Sequence, residues 1–234
     1  KKLVFPYIGE AFKQPSSFVN NRKFRAGRSA TISYDNTTTS SSSTPIENTL
    51  ILSIDDDSTS PNFDTGTLYN TSTYKYISNS AYKSAFKGQV KITNNHTTDG
   101  EFTIYIRHKR SSTTTDIAAS TPVSIAKSTT TEITFNSGYI ELANADEIQL
   151  IVKSKFVPIN IVGSLYYHTH KYEVLGVDSG EYQTYIYNEV DEEILTGQSI
   201  TLKDILPNDV TALDILKGVT HMFNLYYRTD TANQ

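Results

Sequence analysis

The chain has 234 residues, a formal net charge of -4 and an isoelectric point near 5.7, which is enough length for one large β domain or a domain with a smaller appendage. It has no cysteine, so neither a disulfide framework nor a thiolate metal site can form, and stability must come from core burial or from assembly with other chains. No basic excess points to nucleic acid, and no run approaches the roughly 20 apolar residues of a membrane helix, so membrane insertion is not expected either.

Residues 1–30 read as an extended arm or linker, punctuated by Pro6 and Pro15 and anchored by Phe5, Tyr7, Phe12, Phe18 and Phe24. The Lys1-Lys-Leu-Val-Phe5 start has no Met and no signal-peptide core, and both chain ends read as cut from something longer or processed. The small basic cluster Arg22, Lys23, Arg25 and Arg28 is read as a solvated loop. Ala30–Tyr34 is a first strand, and 35–45 is a Thr/Ser loop of low complexity. Leu50–Ile54 is a second strand, followed by an acidic loop at 55–66 and a weakly alternating stretch to Ile77.

The segment from Ser84 to His170 alternates apolar and polar residues in short runs split by Asn, Gly, Ser and Thr, which is the pattern of half-buried antiparallel strands. Val90 and Ile92 share a face, as do Phe102, Ile104 and Ile106, then Ile133 and Phe135, then Ile148, Leu150 and Val152. A one-residue slip would turn each set to solvent, so the register is well specified. The fold class expected is mainly β, an antiparallel jelly-roll sandwich over 31–176, followed by a small C-terminal α/β segment over 177–234. Gly176 and Gly180 mark the boundary. Tyr182–Val190 is a further strand. From Ser199 the period becomes helical: Ala212, Ile215, Leu216, Val219, Met222 and Phe223 form a stripe at spacings of three and four, capped by Asp209 or Thr211.

Chemistry tested against the sequence is mostly rejected. His168 and His170 fall two apart on a strand and share a face, but a closed zinc site needs about four ligands, so they read better as surface or interface polar residues. Asp55, Asp56, Asp57 and Asp64 lack the order of a calcium loop and read as solvated. Ser179 in Val177-Asp-Ser-Gly-Glu181 has no partner segment for a catalytic His. Asp191-Glu-Glu193 reads as an exposed turn. No catalytic residue, metal or cofactor is expected. The 16 tyrosines are the richer signal: Tyr166, Tyr167 and Tyr172 flank the histidines, and Tyr185 and Tyr187 share a strand face. Such residues serve cross-strand packing, a subunit interface or stacking on sugar rings, and the sequence leaves all three open. The loops 35–45, 55–66 and 108–122 are placed at one end of the sandwich as a binding surface.

Three stretches carry a resemblance to the C1q and tumour-necrosis-factor jelly-roll family. Phe86, Gly88, Val90 and Ile92 stand where that family has its Gly-x-aromatic strand. Leu142-Ala-Asn-Ala-Asp-Glu-Ile-Gln-Leu150 is similar to its Leu-x-x-Gly-Asp-x-Val-x-Leu stretch, with Ala145 in place of Gly, and Gly163-Ser-Leu165 matches its last strand. The resemblance implies a jelly roll over about 82–175 that trimerises. Residues 200–225 in turn resemble a segment of tail and baseplate proteins of phages of Bacteroidetes-type bacteria. Together the two imply a virion protein that assembles with copies of itself and with other virion proteins, and that attaches to a host-surface glycan. The other placement is an extracellular or cell-surface binding module. In either case the stripe from Ala212 to Phe223 is the expected interface.

Overall fold

A computed structural model describes residues 21–40, 45–55, 68–156, 160–162 and 165–191, and of 38–40, 54–55, 160–162 and 165–168 it describes the backbone alone. Seventeen strands and no helix run through these residues. In chain order they begin with β1 (Arg25–Gly27), β2 (Ile32–Ser40), β3 (Ile46–Thr49), β4 (Ile54–Asp55), β5 (Tyr69–Asn70) and β6 (Lys75–Ile77). The long middle strands are β7 (Tyr82–Asn94), β8 (Gly100–Arg110), β9 (Thr113–Ala118), β10 (Val123–Ile125), β11 (Thr130–Leu142) and β12 (Glu147–Phe156). Last come β13 (Asn160–Val162), β14 (Leu165–Val174), the hairpin β15 (Val177–Asp178) with β16 (Glu181–Tyr182), and β17 (Tyr185–Val190).

All pairings are antiparallel, and the ladders form two sheets of eight and seven strands, with β15 and β16 apart. Through its long members the first sheet runs β2-β14-β7-β11 and the second β3-β12-β8-β9. In chain order the strands therefore visit the first sheet, the second, the first, twice the second, the first, the second and the first again. Eight strands wound in this order are a jelly roll, as the alternation in the sequence predicts. The inward sets are those expected: Val90, Ile92, Phe102, Ile104, Ile106, Ile133, Phe135, Ile148, Leu150 and Val152 are all buried.

Two features of the first sheet depart from a plain jelly roll. β14 and β17 pair with the same edge of β7, Val174 opposite Ile92 and Tyr185 opposite Gln89, so they are one strand line broken by an excursion at 175–184. β1 and β2 pair with β17 and β14 in turn and break at the same level, at 28–31. The two breaks are fitted to each other. Arg28 N–H donates to Thr184 O (3.0 Å) and Val177 N–H to Ser29 O (3.2 Å), and a Cβ on Gly176 would lie 2.6 Å from the Ala30 carbonyl carbon. The sandwich therefore does not end near 176–180: β17 lies inside the first sheet, and Arg25–Gly27, expected in an arm, is its neighbour. Residues 192–234 lie outside the described residues.

Two other expectations are corrected. The Thr/Ser tract is strand as far as Ser40, because β-branched Thr suits a ladder and β14 supplies partners from Tyr166 to Val174. Leu50–Ile54 is not one strand. Leu50 and Leu52 are buried in the crossing between β3 of the second sheet and β4 of the first. A buried crossing must find partners for its carbonyls. Tyr34 Oη donates to Thr49 O (3.2 Å), an Arg28 guanidinium N–H to Ile51 O, and Tyr69 Oη to Leu52 O (3.2 Å).

Aromatic rings fill both ends of the core. Phe24 stacks on Tyr76 (4.5 Å between centroids) and Tyr69 (5.6 Å), while at the other end Phe102 meets Phe156 and Tyr172 edge-on at 5.5 and 5.2 Å. Each fully buried Phe contributes about 1.5–3 kcal/mol of transfer free energy. In the turn before β12, Ala145 has φ +67°, the left-handed region that favours Gly. Its N–H donates to Ser78 O (2.8 Å), and Asp146 closes the turn by accepting from Ala143 N–H (2.8 Å).

Candidate functional site

The outer face of the first sheet carries the site. Alternation turns Lys83, Lys87, Gln89 and Lys91 of β7 outward, with Tyr185, Tyr187 and Glu189 of β17 and Arg25 and Gly27 of β1 beside them. The register sets Tyr185 between Gln89 and Gly27, and Tyr187 between Lys87 and Arg25. The Tyr185 and Tyr187 rings stack 6.3 Å apart at 28°. The excursion returns a third ring: Tyr182 lies over Gly27, where a Cβ would meet its Cδ1 at 2.7 Å. The Arg25 guanidinium is held by both neighbours, 4.9 Å from the Tyr185 centroid and 5.7 Å from that of Tyr182.

Polar groups hold these rings in place. Tyr185 Oη donates to Gln89 Oε1 (3.4 Å), and Gln89 Nε2 to Gln183 O (3.2 Å), which ties the excursion to β7. Lys87 pairs with Glu189, and Tyr139, 54% exposed, donates to Glu189 Oε1 (3.3 Å). The hydrogen bond from Lys87 holds the Glu189 carboxyl below the ordinary range and raises the Lys87 ammonium. The product is a platform of three half-buried rings around one guanidinium, bordered by amide, ammonium and carboxylate groups. It can stack a flat or C–H-faced ligand and offer it hydrogen bonds.

Sequence reasoning finds two of these residues, Tyr185 and Tyr187, and misses Arg25, Gln89 and the placement of Tyr182. The basic cluster is not a solvated loop. Arg25 is a strand residue, Arg28 is buried, and Arg22 donates to Ser80 Oγ (2.9 Å) beneath the Tyr82 ring. The signal was there in the alternation of Phe24 and Ala26, both buried, with Lys23 and Arg25.

Other expected site residues lie elsewhere. Tyr172 is fully buried, stacked on Tyr34 at 5.0 Å with its hydroxyl accepting from Asn48, so it packs the core. Burial drives its phenol well above the ordinary range. His170 is buried too, its Nδ1 2.9 Å from Ser154 Oγ and its ring edge-on to Phe156 (5.0 Å), which corrects the surface reading. Tyr166, Tyr167 and His168 pair with Ser40, Thr39 and Thr38 in the β14 ladder. Ser179 sits in the exposed β15–β16 turn and touches Asp178. Asp55 is opposite Ala26, while Asp56, Asp57, Asp64 and the stripe Ala212, Ile215, Leu216, Val219, Met222 and Phe223 lie outside the described residues. Of the loops placed at one end as a binding surface, parts of 35–45 and 108–122 are strands β2 and β9. Among the described residues no three His, Asp or Glu side chains converge as a metal site would need.

The second sheet's outer face is built differently. Arg107 Nε and Nη2 fork onto Asp116 (2.7 and 2.8 Å), and Nη2 also reaches Glu47 (2.6 Å). Lys153 completes the ring with Glu47 (2.7 Å) and Asp116 (3.0 Å) and lies 4.4 Å over Tyr105. Ile151 alternates onto this outer face yet is fully buried, because its ladder position lies between the rows of Lys153 and Arg107. The Arg107 fork lowers Asp116 to about 2.

No family model and no curated protein matches the chain. Among solved structures it is similar to Eiger TNF from S. frugiperda, with a TM-score of 0.45 and 5% identity over 76% of this chain and 98% of that one. It is also similar to the infectious bursal disease virus Gt strain structure, at a TM-score of 0.41 and 11% identity over 75% of this chain and 37% of that one. The Gx strain of the same virus gives 0.39 and 9%, over 74% and 38%. The chain thus spans somewhat over a third of the viral chains. The jelly-roll assignment stands on the strand ladders themselves.

Proposed function

We propose that this chain is a structural protein of a virion, a tail or baseplate component that acts by assembly and not by catalysis. In this reading the jelly roll is a module carried on a scaffold, with copies of itself and other virion proteins as partners. The scaffold contact is made by the segment 199–227 through Ala212, Ile215, Leu216, Val219, Met222 and Phe223.

The observation that supports it is where the described part of the sandwich begins and ends. Asn188 binds the entering strand on both sides: its Oδ1 accepts from Phe24 N–H (2.8 Å) and its Nδ2 donates to Arg22 O (2.8 Å). Asp191 N–H then donates to Lys83 O (2.9 Å). The first and last strands of the described sandwich are therefore side by side, at 22–24 and 188–191. Adjacent ends are what allow a domain to be carried on, or inserted into, another unit without straining either. The resemblance of 200–225 to tail and baseplate proteins supplies the kind of scaffold.

The test is Leu216→Asp, which places an unpaired charge in the apolar stripe. We expect a folded sandwich by near-ultraviolet circular dichroism and loss of assembly by sedimentation. Normal assembly of this variant would sink the reading. A second reading, a carbohydrate- or receptor-binding module of a secreted or surface protein, is favoured by the aromatic platform on the first sheet.

A further inference from the structure

The geometry points to a sugar-binding subsite on the platform of Arg25, Tyr182, Tyr185 and Tyr187, bordered by Gln89 and Lys87, that takes the C–H face of a single pyranose ring. This rests on and deepens the second reading above, the carbohydrate-binding module, and is independent of the assembly reading.

Three observations carry it. The first is preorganisation. Tyr185 is fixed by its hydrogen bond to Gln89, Tyr182 by the absence of a side chain at Gly27, and Arg25 between the two rings, so the aromatic surface is in place before any ligand arrives. Tyrosine loses little rotamer entropy on contact and presents both a ring face and a hydroxyl. A pyranose has the matching character, with C–H bonds on one face and hydroxyls around its edge.

The second is the border. Gln89, the Lys87–Glu189 pair and the Tyr139 hydroxyl supply donors and acceptors within one or two strands of the rings. Ligand sites combine an apolar floor with a few placed polar groups in this way.

The third is size, which decides between a sugar and a second copy of the chain. A stable protein interface buries about 800 Å² per partner over roughly 20 residues or more. The aromatic surface here is three rings and a guanidinium. Beyond it the face turns to Thr130, Glu132, Thr134 and Asn136 of β11, all exposed, which is a hydrated surface and not the apolar centre of a subunit interface.

The experiment is saturation-transfer difference NMR on the full chain with the methyl pyranosides of glucose, galactose, mannose and N-acetylglucosamine, beside light scattering of the same samples. We expect transfer to ring C–H protons from at least one sugar. Tyr187→Phe should hold affinity within about threefold, and Tyr187→Thr, which keeps a strand-compatible residue, should lose about tenfold or more. Tyr182→Ser serves as the second truncation should Tyr187→Thr lose its fold, with the same expected loss. No transfer from any of the four sugars to the folded chain would overturn the inference. Transfer unchanged in both truncations would overturn it as well, by placing the sugar elsewhere. A mass above monomer that falls in Tyr187→Thr would overturn it in favour of a second copy on the platform.

Discussion

The two outer faces of this sandwich arise from the same alternation and end in opposite states. On the second sheet Arg107, Asp116, Glu47 and Lys153 satisfy one another in a closed ring that covers Ile151. On the first sheet the corresponding outward positions are Tyr185, Tyr187, Arg25 and a glycine, and the tyrosines that result are half-buried. Four charges closed into one ring stabilise the fold and cover the Tyr105 ring with Lys153. A face of fixed aromatic rings contributes less to stability and more to recognition. Position on a strand decides only which way a side chain points; its cross-strand partners decide what the surface does.

The largest effect that sharpens this contrast is expected from Gly27→Val. The new side chain would occupy the space of the Tyr182 ring, at a cost of about 1–3 kcal/mol for overpacking, and Tyr182 and Arg25 would be displaced together. Urea melts should show the loss of stability, and any sugar binding should disappear with it. Retention of both would mean that Tyr182 is not held where the platform requires it.

A smaller effect concerns the second face alone. Asp116 has its folded pKa depressed from 3.8 to about 2, chiefly by the hydrogen bonds of Arg107. Its contribution is therefore complete above the unfolded value and is lost as pH falls through the folded one. The urea midpoint should fall between about pH 4 and pH 2, and Asp116→Asn should flatten that fall. An unchanged acid profile in the variant would remove the ring from the account of stability.

The smallest effect is a gain. Ala145 holds a left-handed backbone at φ +67°, so Ala145→Gly should stabilise by about 0.5–1 kcal/mol, with a matching rise in melting temperature. A loss of stability would show that the turn tolerates alanine without strain.

How much of this was legible in the sequence varies with the distance between partners. Phe102, Ile104 and Ile106, or Ile148, Leu150 and Val152, announce their faces because period-two alternation is local. Leu50 and Leu52 mislead because an apolar run reads the same whether it is a strand or a buried crossing, and only the donors Tyr34, Arg28 and Tyr69 tell them apart. The platform was half visible. Tyr185 and Tyr187 share a face by spacing alone, but Arg25 joins them from 160 and 162 positions away through the β1–β17 ladder. The same ladder moved the domain boundary past Gly176, because a broken strand line leaves Gly and turn residues where a linker would have them.

The most direct measurement of the central claim is the mass of the full chain in solution, by light scattering over a range of concentrations. The account predicts a stable trimer or a larger ring, held by the segment that follows the jelly roll. A monomer at every concentration would contradict it and would leave the sandwich as a free binding module.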